Sequence, residues 1–188
     1  MSAATRRARQ QDGEEFARLY DEQIWRVYGF FGYRLGSREE AEDLTQQTFE
    51  RAFRAWGRFD ERKASASTWI IVIARNLLID HHRRNRSARQ APLDESLDQL
   101  EHGGGALATT TPEDQVLGLS PEIEAALLQL TQRERELIAL RFGADLSGPT
   151  ISGLTGLSLA NVQQILSRSL RKMRAQLEDR APGAAPAD

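Results

Sequence analysis

The sequence predicts an all-α protein of two small helical domains joined by a flexible acidic linker. Three observations carry this. Apolar residues recur at three- and four-residue steps toward both ends of the chain, the period of a helix that buries one face. Helix-start signals, Ser37 with Glu40 and Thr131 with Glu134, stand before two of those runs. Between the ends lies a stretch with Pro92, glycines at 103–105, threonines at 109–111 and Pro112, which offers too little apolar surface to offset ordering its backbone.

Composition narrows the function. The chain has 188 residues, 28% of them charged, with a formal net charge of −2, which suits one or two small soluble domains. No apolar run approaches the ~20 residues of a membrane span and the start lacks a signal-peptide core, so no membrane insertion and a cytoplasmic location are expected. The absence of cysteine excludes a disulfide framework or a Cys-based zinc site. No grouped acid–base, nucleophilic or phosphate-cradling motif is present, so neither catalysis nor a cofactor is expected. The near-neutral charge argues against tight stand-alone DNA binding, which rests on clustered Lys and Arg.

Met1 to Gln11 reads as a polar, frayed start. From Asp12, the residues Phe16, Leu19, Tyr20, Ile24, Val27, Tyr28, Phe31 and Leu35 mark a helix that ends at Gly36, its aromatics assigned to the core. Phe30 and Tyr33 sit off the stripe. After Ser37, the run Ala41, Leu44, Thr48, Phe49, Ala52, Ala55 and Trp56 predicts a second helix. Its other face carries Glu42, Asp43, Gln46, Gln47, Glu50, Arg51 and Arg54, either an ordinary solvated face or a contact surface. The loop Gly57 to Ala66 surrounds Phe59 with small and charged residues. A third helix, capped by Ser67 or Thr68, is apolar all round from Trp69 to Ala74. It turns polar through Arg75, Asn76, Asp80, His81, His82, Arg83, Arg84 and Arg86. That basic end suits phosphates or base edges, and equally complements the helix dipole. His81 and His82, about 100° apart on a helix, cannot chelate together and find no third ligand, so no metal site is expected.

AEDLTQQTFERAFRAW followed by STWIIVIARNLLIDHHRR resembles region 2 of the extracytoplasmic-function (group 4) sigma factors of the sigma-70 family. The resemblance implies an alternative sigma factor that binds core RNA polymerase, recognises and melts a promoter, and sits on the nucleoid when polymerase-bound. It implies that Asp43, Gln46, Gln47 and Glu50 dock on the polymerase clamp. Arg75, Asn76, Arg83 and Arg84 would engage −10 DNA, with Phe59 in a pocket for a flipped base. The alternative for Phe59 is a surface turn pinned by one buried ring. Base capture is physically reasonable, since an extruded base regains stacking and edge hydrogen bonds. An anti-sigma protein is the implied regulatory partner.

The expected domains are 12–86, a linker at 87–119, a second domain at 120–178 and a disordered tail at 179–188. The linker carries Asp94, Glu95, Asp98, Glu101, Glu113 and Asp114 against Arg89 as its one Lys or Arg. In the resembled family it threads the polymerase cleft; as a plain spacer it would look the same. Ser120-Pro121-Glu122 restarts helix, with Ile123, Ala126, Leu127 and Leu130 buried. Thr131 opens a further helix through Leu137, Ile138, Leu140 and Arg141. Ile151, Gly156, Leu157, Val162 and Ile165 then have helix-turn-helix spacing, with Gly156 at the turn and Ser158 as a cap. The helix from Leu159 to Leu177 has no acid and exposes Asn161, Gln163, Gln164, Ser167, Arg168 and Arg171. Asn and Gln pair bidentately with adenine, and Arg with guanine or phosphate.

This arrangement is similar to sigma region 4, which implies −35 recognition and a contact with the polymerase flap. The chain departs from the family at Gly148-Pro149-Thr150-Ile151-Ser152-Gly153, where an acidic, Ala-containing helix is usual. It departs again at Gln163, Gln164 and Ile165, where basic residues are common. Two glycines weaken so short a helix by roughly 1 kcal/mol each. From the residues alone, a stand-alone helix-turn-helix regulator and a protein-binding adaptor remain alternatives.

Overall fold

The computed structural model describes residues 3–89 and 119–180, with side chains over 13–86 and 119–179. All regular structure there is helical: α1 (Ala3–Gly32), α2 (Arg38–Ala55), α3 (Ala66–Arg89), α4 (Pro121–Leu128), α5 (Gln132–Ile138), α6 (Gly148–Thr155) and α7 (Leu159–Arg180). A 3₁₀ turn at Trp56–Arg58 extends α2, and a π-helical turn at Ala139–Gly143 extends α5. No helix among the described residues is long and apolar enough to cross a membrane. Of the expected linker, residues 87–89 continue α3 and residues 90–118 lie outside the described residues; α7 runs through Arg180, into the expected tail, and residues 181–188 lie outside the described ones.

Helix α1 begins nine residues before the Asp12 read from the sequence, and ends at Gly32 rather than Gly36. Periodicity marks only the part of a helix that packs, so polar opening turns leave no signal. Ser37 Oγ accepts from the Glu40 amide at 3.3 Å, one half of the expected capping box. The cap of α3 is Ser65, not Ser67 or Thr68: its Oγ accepts from the Thr68 amide at 3.2 Å. Ser120 contributes no side-chain cap, and Pro121 alone sets the start of α4. Thr131 and Glu134 form the complete capping box.

The first half is a three-helix unit. Phe16, Leu19, Ala41, Leu44, Phe49, Ala52, Ile70, Ile71, Ala74 and Leu78 are buried together between α1, α2 and α3. Arg51 reaches Asp80 at 3.8 Å from α2 to α3. In the second half α7 closes over α4, α5 and α6, burying Leu127, Leu130, Leu137, Ile138, Ile151 and Val162. Lys172 Nζ on α7 donates to Glu134 Oε1 at 2.6 Å. Burial opposes ionisation of Glu134. Even so, the Lys172 ammonium and the Thr131 amide and hydroxyl hold its carboxyl below the usual carboxylate range.

The two halves are not separate bodies. Val27, Phe30 and Phe31 of α1 share one continuous core with Leu137, Leu140, Ala144 and Leu146. Phe30, off the stripe that packs α2, is fully buried because the second half covers it. The crossing is backbone on backbone: a Cβ on Gly143 would lie 2.6 Å from the Gly29 carbonyl oxygen, and one on Gly29 would lie 2.8 Å from that of Gly143. Only two glycines allow this approach. The π turn, closed by the Ala144 amide on the Ala139 carbonyl at 2.9 Å, presents Gly143 to α1. Around it Arg26 meets Asp145 at 3.1 Å and Arg34 Nη1 donates to the Gln132 carbonyl at 2.7 Å. Arg75 Nε donates to Glu136 Oε1 at 2.7 Å.

Candidate functional site

Helix α7 presents the clearest surface. Asn161, Gln163, Gln164, Ser167, Arg168 and Arg171 are all exposed. At about 100° per residue they fall within roughly 80° of one line, opposite the stripe of Val162, Ser169 and Met173 that packs inward. The tilt of α7 follows from the turn before it. Gly156 adopts φ 72°, left-handed backbone that ends α6, and Ser158 Oγ accepts from the Asn161 amide at 3.2 Å to start α7. Despite its glycines α6 forms, with Ser147 Oγ accepting from the Thr150 amide at 3.3 Å. Ile165, where a basic residue is common in the resembled family, is half-buried against the core and off this face.

On α3 the four basic-end residues divide. Asn76, Arg83 and Arg84 are exposed, and Asn76 and Arg83 lie about 20° apart on the helix. Arg75 lies roughly 100° away from Asn76 and faces the second half, its side chain 26% exposed and bonded to Glu136. Behind it the Arg34 guanidinium is drawn down to about 10 by burial, with Glu136 opposing and Arg135 and Arg75 adding, so it stays charged at neutral pH. His82 is half-buried rather than part of a free polar surface. Burial first, then Arg34, His81, Arg135 and Arg86, lower it to about 4.

Phe59 is half-buried in a cluster of aromatic rings. It stacks on Trp56 at 5.2 Å and 15°, and tilts against Trp69 at 4.9 Å. Asp60 accepts from the Arg62 amide and guanidinium at 3.1 and 2.9 Å, closing a tight turn just after Phe59. The turn is thus pinned by Phe59 at one end and by the Asp60–Arg62 pair at the other.

Asp43, Gln46, Gln47 and Glu50 are exposed on α2, with Gln46 Nε2 donating to Glu50 Oε1 at 3.3 Å. Gln46 and Glu50 line an open groove of about 680 Å³ between α1 and α2; Asp43 and Gln47 stand outside it. The groove wall is aromatic. Trp25 is 76% exposed, Phe53 59% and Tyr20 43%. Tyr20 was expected in the core; it instead leans on Phe49 at 4.6 Å with one side open. Periodicity places Tyr20 at the edge of the stripe, where the depth of α2 decides its burial. Trp25 and Phe53 lie outside the apolar stripes that periodicity marks, and the signal for Trp25 is a large aromatic directly opposite the buried stripe of α1.

Known proteins match the chain along most of its length. The model of sigma-70 region 2 matches residues 19–88, and that of sigma-70 region 4 matches residues 126–175. The ECF RNA polymerase sigma factor BldN of Streptomyces coelicolor is 33% identical over 96% of this chain and 67% of its own length. SigC of Mycobacterium tuberculosis is 32% identical over 88% and 83%, and SigW of Bacillus subtilis 30% over 89% and 91%. Among solved structures, the sigma factor RpoE of Bartonella quintana, in complex with the anti-sigma factor NepR, shares the fold at a TM-score of 0.66. It is 20% identical, over 88% of this chain and 98% of its own. The region 2 match runs from within α1 through α3 and the region 4 match from the end of α4 into α7, and the chain belongs to the ECF RNA polymerase sigma factors of the sigma-70 family.

Proposed function

We propose that the chain docks on core RNA polymerase through region 2, reads promoter DNA through α3 and α7, and leaves the chemistry to the polymerase. The observation that carries the reading is the α7 face. Six exposed polar or basic side chains lie opposite the core on a 22-residue helix held by a helix-turn-helix, the geometry that seats a helix in a major groove. Gln163, Gln164 and Asn161 are suited to adenine edges, Arg168 to guanine, and Ser167 and Arg171 to the −35 backbone.

Asn76, Arg83 and Arg84 supply a basic edge for −10 DNA, joined by Arg75 once it is free of Glu136. The Phe59 loop supplies an aromatic floor for an extruded base. Asp43, Gln46, Gln47 and Glu50 form the polar rim of the polymerase contact, and Trp25, Tyr20 and Phe53 beside them its apolar centre, the usual division within an interface. The polymerase clamp meets region 2 and the flap meets region 4. An anti-sigma protein is the proposed regulator. Two structural relatives support this, RpoE with NepR and CnrH with the cytosolic domain of CnrY. The reading places the protein in the cytoplasm, on the nucleoid with polymerase.

In vitro transcription with core polymerase on fragments of the native genome tests this. Discrete start sites that require the protein, sharing −10 and −35 sequences, are expected. Duplex binding by the free protein with no transcripts would instead indicate a stand-alone regulator.

A further inference from the structure

Cationic side chains converge where the end of α1, one face of α3 and the start of α5 meet. On α3, Arg75, His82 and Arg86 fall within about 40° of one line, over roughly 16 Å of helix. Arg34, just past α1, and Arg135, on α5, stand beside them: the charges of Arg34, Arg135 and Arg86 all reach the His82 ring. Arg34 in turn feels Arg135 and Arg75.

Carboxylates do not balance this charge. Glu136 is the carboxylate whose charge reaches Arg34, and it is already shared by Arg75 at 2.7 Å and Arg133 at 3.4 Å. Glu134 is held by Lys172, and Glu40 stands 3.6 Å from His81 on the α2 side. Among the described residues neither Arg34 nor Arg135 has an ion-pair partner. Both hold backbone carbonyls instead. Arg34 Nη1 donates to that of Gln132 at 2.7 Å, and Arg135 Nη2 to those of Leu128 and Leu130 at 3.3 and 3.2 Å. Each keeps its Nε buried without a partner, and Arg135 as a whole is only 8% exposed. Holding the end of α4 explains the Arg135 Nη contacts. It does not explain two inward-facing cations without a counter-charge, whose desolvation carbonyl dipoles only partly offset.

We propose that this cluster is a binding site for a phosphate oxyanion, with Arg34 and Arg135 behind it and Arg86 and the His82 ring at its rim. Arg86 is exposed and His82 half-buried, so the cluster meets solvent along α3. A tetrahedral anion offers acceptors in several directions and up to two negative charges, which suits guanidinium groups arriving from three elements. A carboxylate pairs with a single fork. Neutral His82 has a ring N–H to donate. The buried arginines lie below the reach of a duplex backbone, so the ligand is a small molecule, either free phosphate or the phosphate of a nucleotide. Arg34, His82 and Arg86 belong to region 2 and Arg135 to region 4, so the anion gains all its partners only when both are folded and joined, and it stabilises that state. Neither polymerase nor promoter is needed for this binding, which stands apart from the proposed function.

Thermal melts of the full-length protein at constant ionic strength test the site, with sodium phosphate exchanged for sodium chloride. Phosphate should raise the melting temperature progressively with its concentration, and calorimetry should give one site per chain. In ¹H–¹⁵N spectra the Nε–H signals of Arg34 and Arg135 should shift along the same saturation curve. Arg34→Met should weaken phosphate binding at least tenfold, the loss of one charge-assisted hydrogen bond. Arg86→Ala, an exposed change that leaves the core intact, should weaken it at least threefold. ATP in place of phosphate separates the two sources: tighter binding identifies a nucleotide, equal or weaker binding the free ion.

Identical melting in phosphate and chloride overturns the proposal. Undiminished binding by the variants does the same, and Arg86→Ala decides alone if Arg34→Met does not fold. So does binding that is lost in Arg168→Ala and kept in Arg86→Ala, which would put the phosphate on the DNA-reading face of α7.

Discussion

His82 sits where the two halves meet, half-buried, with the cations of Arg34, Arg135 and Arg86 and the ring of His81 around it. Burial and these neighbours hold it near 4 against an ordinary 6.5. The unfolded chain therefore takes up this proton first. The contribution of neutral His82 is fully present above about pH 6.5 and is lost as pH falls toward 4. The whole shift sets a ceiling of about 3 kcal/mol, and solvent screening at this part-exposed site reduces it to about 1–2 kcal/mol. Urea titrations at pH 7 and pH 5 should show wild type losing that much more than His82→Asn; equal losses would remove His82 from the acid response. Arg168, exposed on α7, should behave differently. Arg168→Ala should cost about 1–3 kcal/mol at promoters whose −35 base it reads, with polymerase binding retained. Uniform loss at all promoters would mark it as a phosphate contact instead. Trp25→Ala should weaken capture of core polymerase by about 1–2 kcal/mol with the melting curve little changed, because its ring is mostly in water. Unaltered capture would take the groove out of the interface.

Among the elements, the short helices of region 4 depend most on their ends. Helices α4, α5 and α6 have eight, seven and eight residues, too few to persist alone in water. Their ends are held instead by Pro121, the Thr131–Glu134 box and Ser147. Thr131→Ala should cost about 1 kcal/mol by losing a cap that Glu134 also uses to face Lys172. Gly156→Ala should cost about 1–2 kcal/mol, since φ 72° strains any residue with a Cβ, although open space surrounds it. Both are read from chemical denaturation; a neutral Gly156→Ala would mean that the turn relaxes and α7 re-aims. The glycines of α6 looked costly from propensity alone. In the structure Gly148 lets Leu159 pack close, 3.0 Å from where a Cβ would stand, so at that position context outweighs propensity.

At the scale of the whole molecule, the shared core predicts cooperative unfolding. All three tryptophans, Trp25, Trp56 and Trp69, lie in region 2, so their fluorescence follows that half while circular dichroism follows all the helices. The two signals should give one coincident transition in wild type and two separated ones in Gly29→Ala/Gly143→Ala. Non-coincident wild-type curves would mean independent domains. What the sequence determined by itself were features that repeat along one helix or sit at its ends. These are the apolar stripes of α2, α5 and α7, the Thr131–Glu134 box, the Gly156 turn, and the polar face from Asn161 to Arg171. Each is set by neighbours within a few residues, so spacing alone reveals it. The tertiary structure decided everything that depends on which surface meets which. Trp25 and Tyr20 stay exposed because α2 covers only part of α1. Phe30 is buried because region 4 covers the rest. Arg75, about 100° from Asn76 on α3, is drawn into an ion pair because Glu136, 61 positions along the chain, reaches it. Gly29 and Gly143 look like ordinary helix-weakening residues until the two backbones are side by side, because a close approach is a property of a pair that no local pattern encodes.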